Sequence, residues 1–580
     1  MEPIIVEFSL SVQPASLTRM SMTDIDIDQP PIWKSRYNHP TQWDQFYPPL
    51  SMPGMFFRSA GRRGDANLLD FMGRKYSYSE VASGVVRVAK GLQNLGIGKG
   101  DRIGLFLPNV PHYVSAYYGA MAIGATVVNF SPLYTVDELN HQVEDSGTKI
   151  LFTLSATALF PTAYQVLEQS SLERLVVGSV GGALPAGKAL FYALFRRKEN
   201  SPQPDDDRIT PFSDLIDNAG NYKAPNIRPD KDIALLQYTG GTTGVPKGAM
   251  CSHQNLTANA RQINGIDPYI DETDRLMGVL PFFHVFANSA VLNRTVERGG
   301  EIVMLPRFDA KQTLKAITRT RITAMPGVPT MYQALLDHPD IDKTNFSSLK
   351  VCVSGGAPLP MELKKKFEAK TGAKLVEGYG LTESCGVVSA NPYEGLNKAG
   401  TIGQPVPGTL VKLVDKGDPT KGAPEGEPGE LVFSGPQVMQ GYWNLPEEDE
   451  KVFVDGFLRT GDVATIDEDG YIKIVDRLKD MIAVGGFKVF PSQVEEVLYK
   501  HDSVKEALVI GVPDAYRGES PKAYVALEPD MAVTGDELKD WLNPQLGKHE
   551  RVVDVVVRDS LPKTMIGKLD RKALREEELD

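Results

Sequence analysis

Cysteine is nearly absent from this chain: three occur in 580 residues, Cys251, Cys352 and Cys385, with no Cys-x-x-Cys pair and no histidine cluster at metal-ligand spacing. That excludes a disulfide-dense scaffold and a cysteine–histidine zinc site, and a reducing, cytoplasmic setting is the expectation. Long apolar runs are missing too. No window approaches the ~20 apolar residues of a membrane span, and the N-terminus lacks the basic start and apolar stretch of a signal peptide. Positive charge is in deficit: 62 Lys and Arg face 74 Asp and Glu, a net charge of −12 that disfavours nucleic acid or anionic lipid as a partner of the whole surface. Anionic ligands then need local basic pockets. There is no fixed-period repeat and no long low-complexity tract.

What is present suits a large folded chain. Apolar residues make up 42% and charged residues 23% of 580 positions, more than one core supports, so roughly three to four structural units are expected. Residues 1 to about 50 are polar and proline-dotted, with aromatics at Trp33, Tyr37, Trp43 and Tyr47, and read as an arm over the body. From Ser79, the residues Val81, Val85, Val88, Leu92 and Leu95 recur at helical spacing until Gly96, and strand-like Arg102 to Leu107 follows. Helix-like Val114 to Ile123, strand-like Ala125 to Asn129, helical Val136 to Glu144 and strand-like Lys149 to Thr153 repeat the unit. Such alternation predicts an α/β fold of parallel sheets covered by helices.

A second series, from about Asp232 to Ala390, predicts a second doubly wound sheet with strands at Ile302 to Leu305 and Leu349 to Val353. Between Gly400 and Gly470, Gly and Pro punctuate short strands, Leu410 to Val414 and Glu430 to Ser434, as in a β-barrel-like lobe. From about Lys479 a small α+β domain is expected, with capping-box spacing at Ser492 to Glu495 and at Thr534 to Glu537, and strands at Ala507 to Val512 and Lys522 to Leu527.

The strand-like Ile233 to Gln237 runs into Tyr238-Thr-Gly-Gly-Thr-Thr-Gly-Val-Pro-Lys247-Gly248. Gly240, Gly241, Gly244 and Gly248 let the backbone turn its amides towards an anion, Thr239, Thr242 and Thr243 add hydroxyls, and Lys247 adds charge, which suits a polyphosphate. It is not a Walker loop, GxxxxGK[ST], because Pro246 precedes the lysine and Gly248 follows it. Further along stand Pro281-Phe-Phe-His284-Val-Phe286-Ala, Gly355-Gly356-Ala357-Pro358, Gly378-Tyr379-Gly380-Leu-Thr382-Glu383, Arg459-Thr-Gly-Asp462, Asp476-Arg477-Leu-Lys479-Asp480 and Pro562-Lys-Thr-Met-Ile-Gly-Lys568.

With these motifs, in this order and over nearly the whole chain, the sequence resembles the superfamily of adenylate-forming enzymes, which includes acyl-CoA synthetases, luciferases and the adenylation domains of peptide synthetases. The resemblance implies activation of a carboxylic acid by ATP, giving an acyl-AMP and pyrophosphate, and then transfer of the acyl group to a thiol. It implies that Thr239 to Gly244 and Lys247 grip the phosphates and that Thr239 and Glu383 hold Mg²⁺. Gly355, Gly356, Ala357 and Pro358, with Gly378, Gly380 and Thr382, would border the nucleotide, with the Tyr379 ring against adenine. Asp462 and Arg477 would bind the ribose, and Lys568 would reach the α-phosphate and the carboxylate. Catalysis would fall to Lys568, Glu383 and Thr239. Lys479 would be the hinge about which the C-terminal domain, 479–580, turns against the adenylation domain, 1–478.

His284 and Phe286 are expected to line the acyl or pantetheine channel, and His284 has no sequence-near carboxylate that would make it a base. Gly485 and Gly486 would let a pantetheine arm pass, and an ordinary β-turn explains them nearly as well. Asp455-Gly-Phe-Leu-Arg-Thr-Gly-Asp-Val and Asn129-Phe-Ser-Pro-Leu-Tyr-Thr135 look like bacterial long-chain fatty acid–CoA ligases, with Phe457 where the signature commonly has Trp. The expected function is therefore a long-chain fatty acid–CoA ligase using fatty acid, ATP and CoA, without nucleic acid. A medium-chain or aryl acid–CoA ligase and an enzyme loading a carrier protein are the alternatives; the chain stops soon after Lys568, which favours free CoA. Leu190, Phe191, Leu194 and Phe195 form an apolar stripe ending in Arg196, Arg197 and Lys198, so peripheral membrane contact through 185–198 is one expectation and a buried amphipathic helix the equal one. Monomer and homodimer both stay open.

Overall fold

The helical periodicities of the first third become helices with their caps in place. Helix Tyr78–Asn94 starts at a capping box, in which the Ser77 hydroxyl accepts from the Glu80 amide and the Glu80 carboxylate from the Ser77 amide. It buries Val81, Val85, Val88 and Leu92, and the chain leaves it at Gly96 with φ +82°. Thr135 and Glu138 open helix Val136–Ser146 in the same way. Strands Arg102–Leu105, Thr126–Asn129, Thr148–Leu154 and Arg174–Gly178 alternate with these helices and pair in parallel. The computed structural model describes residues 32–185, 187, 188, 199–239, 246–269, 274–485, 487–529, 531–564 and 567–579. The predicted amphipathic stretch at 189–198 lies outside them.

Among the described residues, four sheets organise the chain. The first has seven strands and carries Ile233–Tyr238 parallel to Thr126–Asn129, with Gly248–Ser252 returning antiparallel at its edge. The second has nine, with a parallel centre of Glu301–Met304, Arg275–Gly278, Ala324–Gly327, Val351–Gly355 and Lys374–Leu381. The third is the antiparallel half-barrel, in which Leu410–Val414, Gly429–Ser434 and Phe457–Ile466 pair in turn. The fourth belongs to the last hundred or so residues and pairs Val504–Asp514, Gly518–Leu527 and Asp554–Arg558. Helices on both faces of the first two sheets share one apolar core that runs from Met52 to Ile472. Val494, Leu498, Val509, Val525, Leu538 and Val555 form a separate core under the last sheet. Among the described residues no helix is long and apolar enough to cross a membrane.

The structure corrects two expectations and adds one feature. The second series does not begin a sheet at Asp232: Ile233–Tyr238 and Gly248–Ser252 extend the first sheet, while Asn67–Phe71 and Arg74–Ser77, far upstream, complete the second. Periodicity reports that a strand is buried and is silent on its neighbours. Ser492 is not a helix cap. The helix runs Pro491–Leu498 with no side-chain cap, because Pro491 takes the first helical position, and the Ser492 amide is held at 2.9 Å by Asp476 instead. The Thr534–Glu537 box is present. Last, two of the three cysteines pair: Cys251 and Cys385 form a disulfide across 134 residues with Cα atoms 6.1 Å apart.

Candidate active site

The phosphate-type loop leaves the first sheet at Tyr238, whose hydroxyl donates to Asp145 at 2.5 Å. Its neck is closed by two bonds, from the Thr239 amide to the Lys247 carbonyl at 2.9 Å and from the Lys247 amide to the Thr239 hydroxyl at 3.3 Å. Gly240, Gly241, Thr242, Thr243 and Gly244 lie outside the described residues. The Lys247 ammonium sits 5.2 Å from the Tyr442 ring centre and is ion-paired with Glu448.

Tyr379 and Glu383 come from one bend. Strand Lys374–Leu381 turns through Thr382–Cys385 into Gly386–Ala390, and the bend is closed by the Leu381 amide donating to the Ser384 hydroxyl at 2.9 Å. Gly380 has to be glycine, since a Cβ there would stand 2.0 Å from the Gly386 carbonyl oxygen. The Glu383 carboxylate accepts the Tyr442 hydroxyl at 2.7 Å. Gly355 lies beside Gly378 in the parallel register, so the run Gly355 to Pro358 leaves its strand next to Tyr379.

Asp462 and Arg477 are opposite one another on adjacent antiparallel strands, and their side chains meet at 3.2 Å. The Tyr379 hydroxyl donates to the other Asp462 oxygen at 2.5 Å. Burial pushes the Asp462 carboxyl up, against the nearby Arg477 charge. Lys568 arrives from the C-terminal domain on a loop whose Gly567 carbonyl accepts the Thr330 hydroxyl at 2.8 Å. Its side chain crosses Gly356 so closely that a Cβ there would fall 2.3 Å from the Lys568 Cε. Burial lowers the ammonium to about 8; Arg477 acts in the same direction and Asp462 opposes it. Burial, with the Lys568 charge behind it, also lowers His284 to about 3, so its imidazole is neutral at pH 7, and its Nδ1 accepts the Phe286 amide at 3.2 Å.

One cleft of about 2400 Å³ is lined by Thr239, Lys247, His284, Phe286, Gly355 to Pro358, Gly378 to Glu383, Asp462, Arg477, Lys479 and Lys568. Residues more than three hundred positions apart thus meet around one space. Gly485 does not join them: it is exposed, with φ +56°, in the turn of the hairpin Ile482–Val484 to Phe487–Val489. Gly486 lies outside the described residues.

Four wall residues escaped the sequence reading. Tyr442 and Glu448 hold Glu383 and Lys247, Thr330 anchors the Lys568 loop, and Glu377 is an acid that burial lifts to about 8 beside Pro358. Each lies far in sequence from its partner, and none sits in a pattern with a chemistry of its own. For Glu377 alone there is a signal, its place directly before Gly378.

The profile of AMP-binding enzymes matches residues 56–443, and that of the AMP-binding enzyme C-terminal domain matches 493–568. A long-chain-fatty-acid–CoA ligase of Bacillus subtilis is 39% identical over 552 residues, which cover 94% of this chain and 98% of that protein. Among solved structures, ATP-bound MatB from Rhodopseudomonas palustris superposes with a TM-score of 0.80 at 28% identity, over 92% of this chain and 99% of that one. The Bacillus subtilis O-succinylbenzoate coenzyme A synthetase in complex with ATP and magnesium gives 0.74 at 26% identity, over 90% and 99%. The chain belongs to the AMP-binding, adenylate-forming enzymes, and within them to the AMP-forming acid–CoA ligases.

Proposed function

We propose that the chain is a long-chain fatty acid–CoA ligase, which makes acyl-AMP and pyrophosphate from a fatty acid and ATP and then acyl-CoA and AMP. The observation that carries the choice of acid is an apolar stretch of the cleft wall, its inner branch, made by Ile263, Ile266, Leu276, Ala290, Val351 and Val387. These side chains are all apolar, and each methylene they bury contributes ~0.8 kcal/mol. The Bacillus subtilis relative, named for this activity, supports the same reading.

In adenylation a carboxylate oxygen attacks the α-phosphorus and the bond to the β-phosphate oxygen breaks, so pyrophosphate leaves with the electron pair. Two anions have to meet. Lys568 brings its charge to the α-phosphate and carboxylate, and Lys247 holds the departing phosphates with the loop from Thr239. Asp462 and Arg477 fix the ribose, and Tyr379 lies against the base. In the second step the CoA thiol gives its proton to solvent, its sulfur attacks the acyl carbon, and the bond from that carbon to the phosphate oxygen breaks, so AMP leaves with the electron pair. His284, neutral and tied to the Phe286 amide, lines the channel and takes no proton. The domain 479–580 turns about Lys479 between the two steps.

Magnesium fits the donors available. It uses one or two carboxylates and completes its shell with phosphate oxygens and water, and among the described residues no group of three or more His, Cys, Asp or Glu stands ready to hold a metal alone. Glu383 and Thr239 would hold it, and when bound it neutralises phosphate charge. The test is ATP–pyrophosphate exchange dependent on the added acid, across saturated fatty and aryl acids, followed by AMP release dependent on CoA. Exchange with aryl acids alone would replace the fatty substrate, and AMP release without CoA dependence would remove the acceptor.

A further inference from the structure

The inner branch does not stop at an apolar wall. With Val351 and Ala324 the cleft is also lined by Arg294, which is 4% exposed and lies among Asp267 and Asp274, themselves 4% and 8% exposed. Arg294 donates to Asp274 at 2.6 Å and is also paired with Asp267. Arg298 stands 3.6 Å from Asp267 and 3.7 Å from Asp274, and the Thr323 hydroxyl donates to Asp274. Tyr393 borders both the cluster and the cleft. The cluster ties the end of helix His253–Gly265 and the start of strand Arg275–Gly278 to helix Arg294–Arg298. A second, small cavity is lined by Asp267, Asp274, Ala324, Val351 and Lys350.

Resting on the fatty acid reading above, we propose that the Asp267–Arg294–Asp274 cluster is the floor of the acyl branch and sets the longest chain the enzyme accepts. The relative sizes of two effects decide this. Burying one more methylene gains about fourfold in binding, whereas breaking a buried ion pair by pushing a chain end into it costs on the order of a hundredfold to several thousandfold. An acyl chain therefore gains steadily until it touches the floor and then gains nothing. A ruler comes from strand Val351–Gly355, whose four residue steps at about 3.3 Å span roughly 13 Å. An extended chain advances about 1.2 Å per bond, so about eleven carbon–carbon bonds fit along it, with the carboxyl end lying beyond Gly355. The break falls near tetradecanoate.

The experiment measures kcat/KM for even-numbered saturated acids from octanoate to octadecanoate. For the unaltered enzyme it should rise by up to about fourfold per methylene and then flatten or fall. A324L, at the mouth of the floor, should move the break to shorter acids. D267N/D274N/R294M/R298M, which removes the four charges together, should move it to longer ones. If that chain does not fold, D267N leaves Arg294 paired with Asp274 and decides the same point: acids beyond the break should gain several-fold. Fatty acids accepted with a break that none of these substitutions moves would overturn the floor and leave the fatty acid reading standing. No pyrophosphate exchange with any fatty acid would overturn both.

Discussion

Lys568 enters the cleft with its charge under pressure. Its ammonium, brought by burial to about 8 from an ordinary 10.5, is charged at neutral pH and loses its proton as the solution turns mildly alkaline. kcat/KM for ATP reports the free enzyme, and in the adenylation half-reaction it should fall as pH rises through about 8. K568R should move that fall upward, because a guanidinium stays charged. K568A should slow adenylation roughly 10² to 10³-fold yet still convert supplied acyl-AMP to thioester; equal loss of both half-reactions would reject the role. Stability runs the other way. The folded amine binds its proton less tightly than the unfolded one, so between about 8 and 10.5 the unfolded chain holds more protons and this group's contribution to stability rises with pH. A joint fall of activity and stability in that window would point to general unfolding.

Glu448 is the counter-ion of Lys247, shared with Lys451 at 2.6 Å. A polyphosphate held by Lys247, as proposed above, would compete with it. E448Q should therefore lower KM for ATP and tighten inhibition by pyrophosphate, each roughly two- to fivefold, the scale of a solvent-accessible pair. KM for the acid should stay unchanged. A raised KM for ATP would mean that Glu448 helps to hold the nucleotide. The sequence made Lys247 legible through the loop around it, but Glu448 is 201 residues away on a short acidic helix that looks like any solvated one.

At the scale of elements, the residues that had to be glycine are those where two backbones touch. G380A would drive a Cβ to 2.0 Å from the Gly386 carbonyl oxygen, opening the bend that carries Tyr379 and Glu383. Overpacking of this kind costs about 1–3 kcal/mol, so its urea midpoint should fall and adenylation with it. G422A, where nothing stands within 4 Å, should stay within about 0.5 kcal/mol of the unaltered chain. An unaltered midpoint for G380A would mean the bend has room to move. Helices and strands were legible because Val81, Val85, Val88 and Leu92, or the run Leu410 to Val414, carry their period locally. Strand order was not, since Asn67–Phe71 finds its partner Glu301–Met304 more than two hundred residues on. Ser492 misled because its spacing to Glu495 is correct for a box, while Pro491 and the distant Asp476 decide where the helix begins.

For the whole molecule, the chemistry was legible and its assembly was not. Ordered motifs named Lys568, Asp462, Arg477, Glu383 and Tyr379, yet nothing in them says that Lys568 lies across Gly356 instead of out in solvent. Among the described residues, the polar contacts that hold it there include Thr330 to Gly567 at 2.8 Å, Asp337 to Lys505 at 2.9 Å and Asp476 to the Ser492 amide at 2.9 Å. Polar contacts of this kind suit a domain that docks and leaves. Fixing it should separate the two half-reactions. A Cβ on Gly567 would lie 3.2 Å from the Thr330 hydroxyl oxygen, about where a cysteine sulfur would stand, so T330C/G567C can close a disulfide between domains. Gly567 has φ +82°, which costs another residue roughly 1–2 kcal/mol, within the ~2–4 kcal/mol that a cross-link supplies. Oxidised, this enzyme should exchange pyrophosphate at close to the unaltered rate and stall before the thioester; reductant should restore thioester formation. Full thioester formation by the oxidised enzyme would show that both steps run with the domain where it stands.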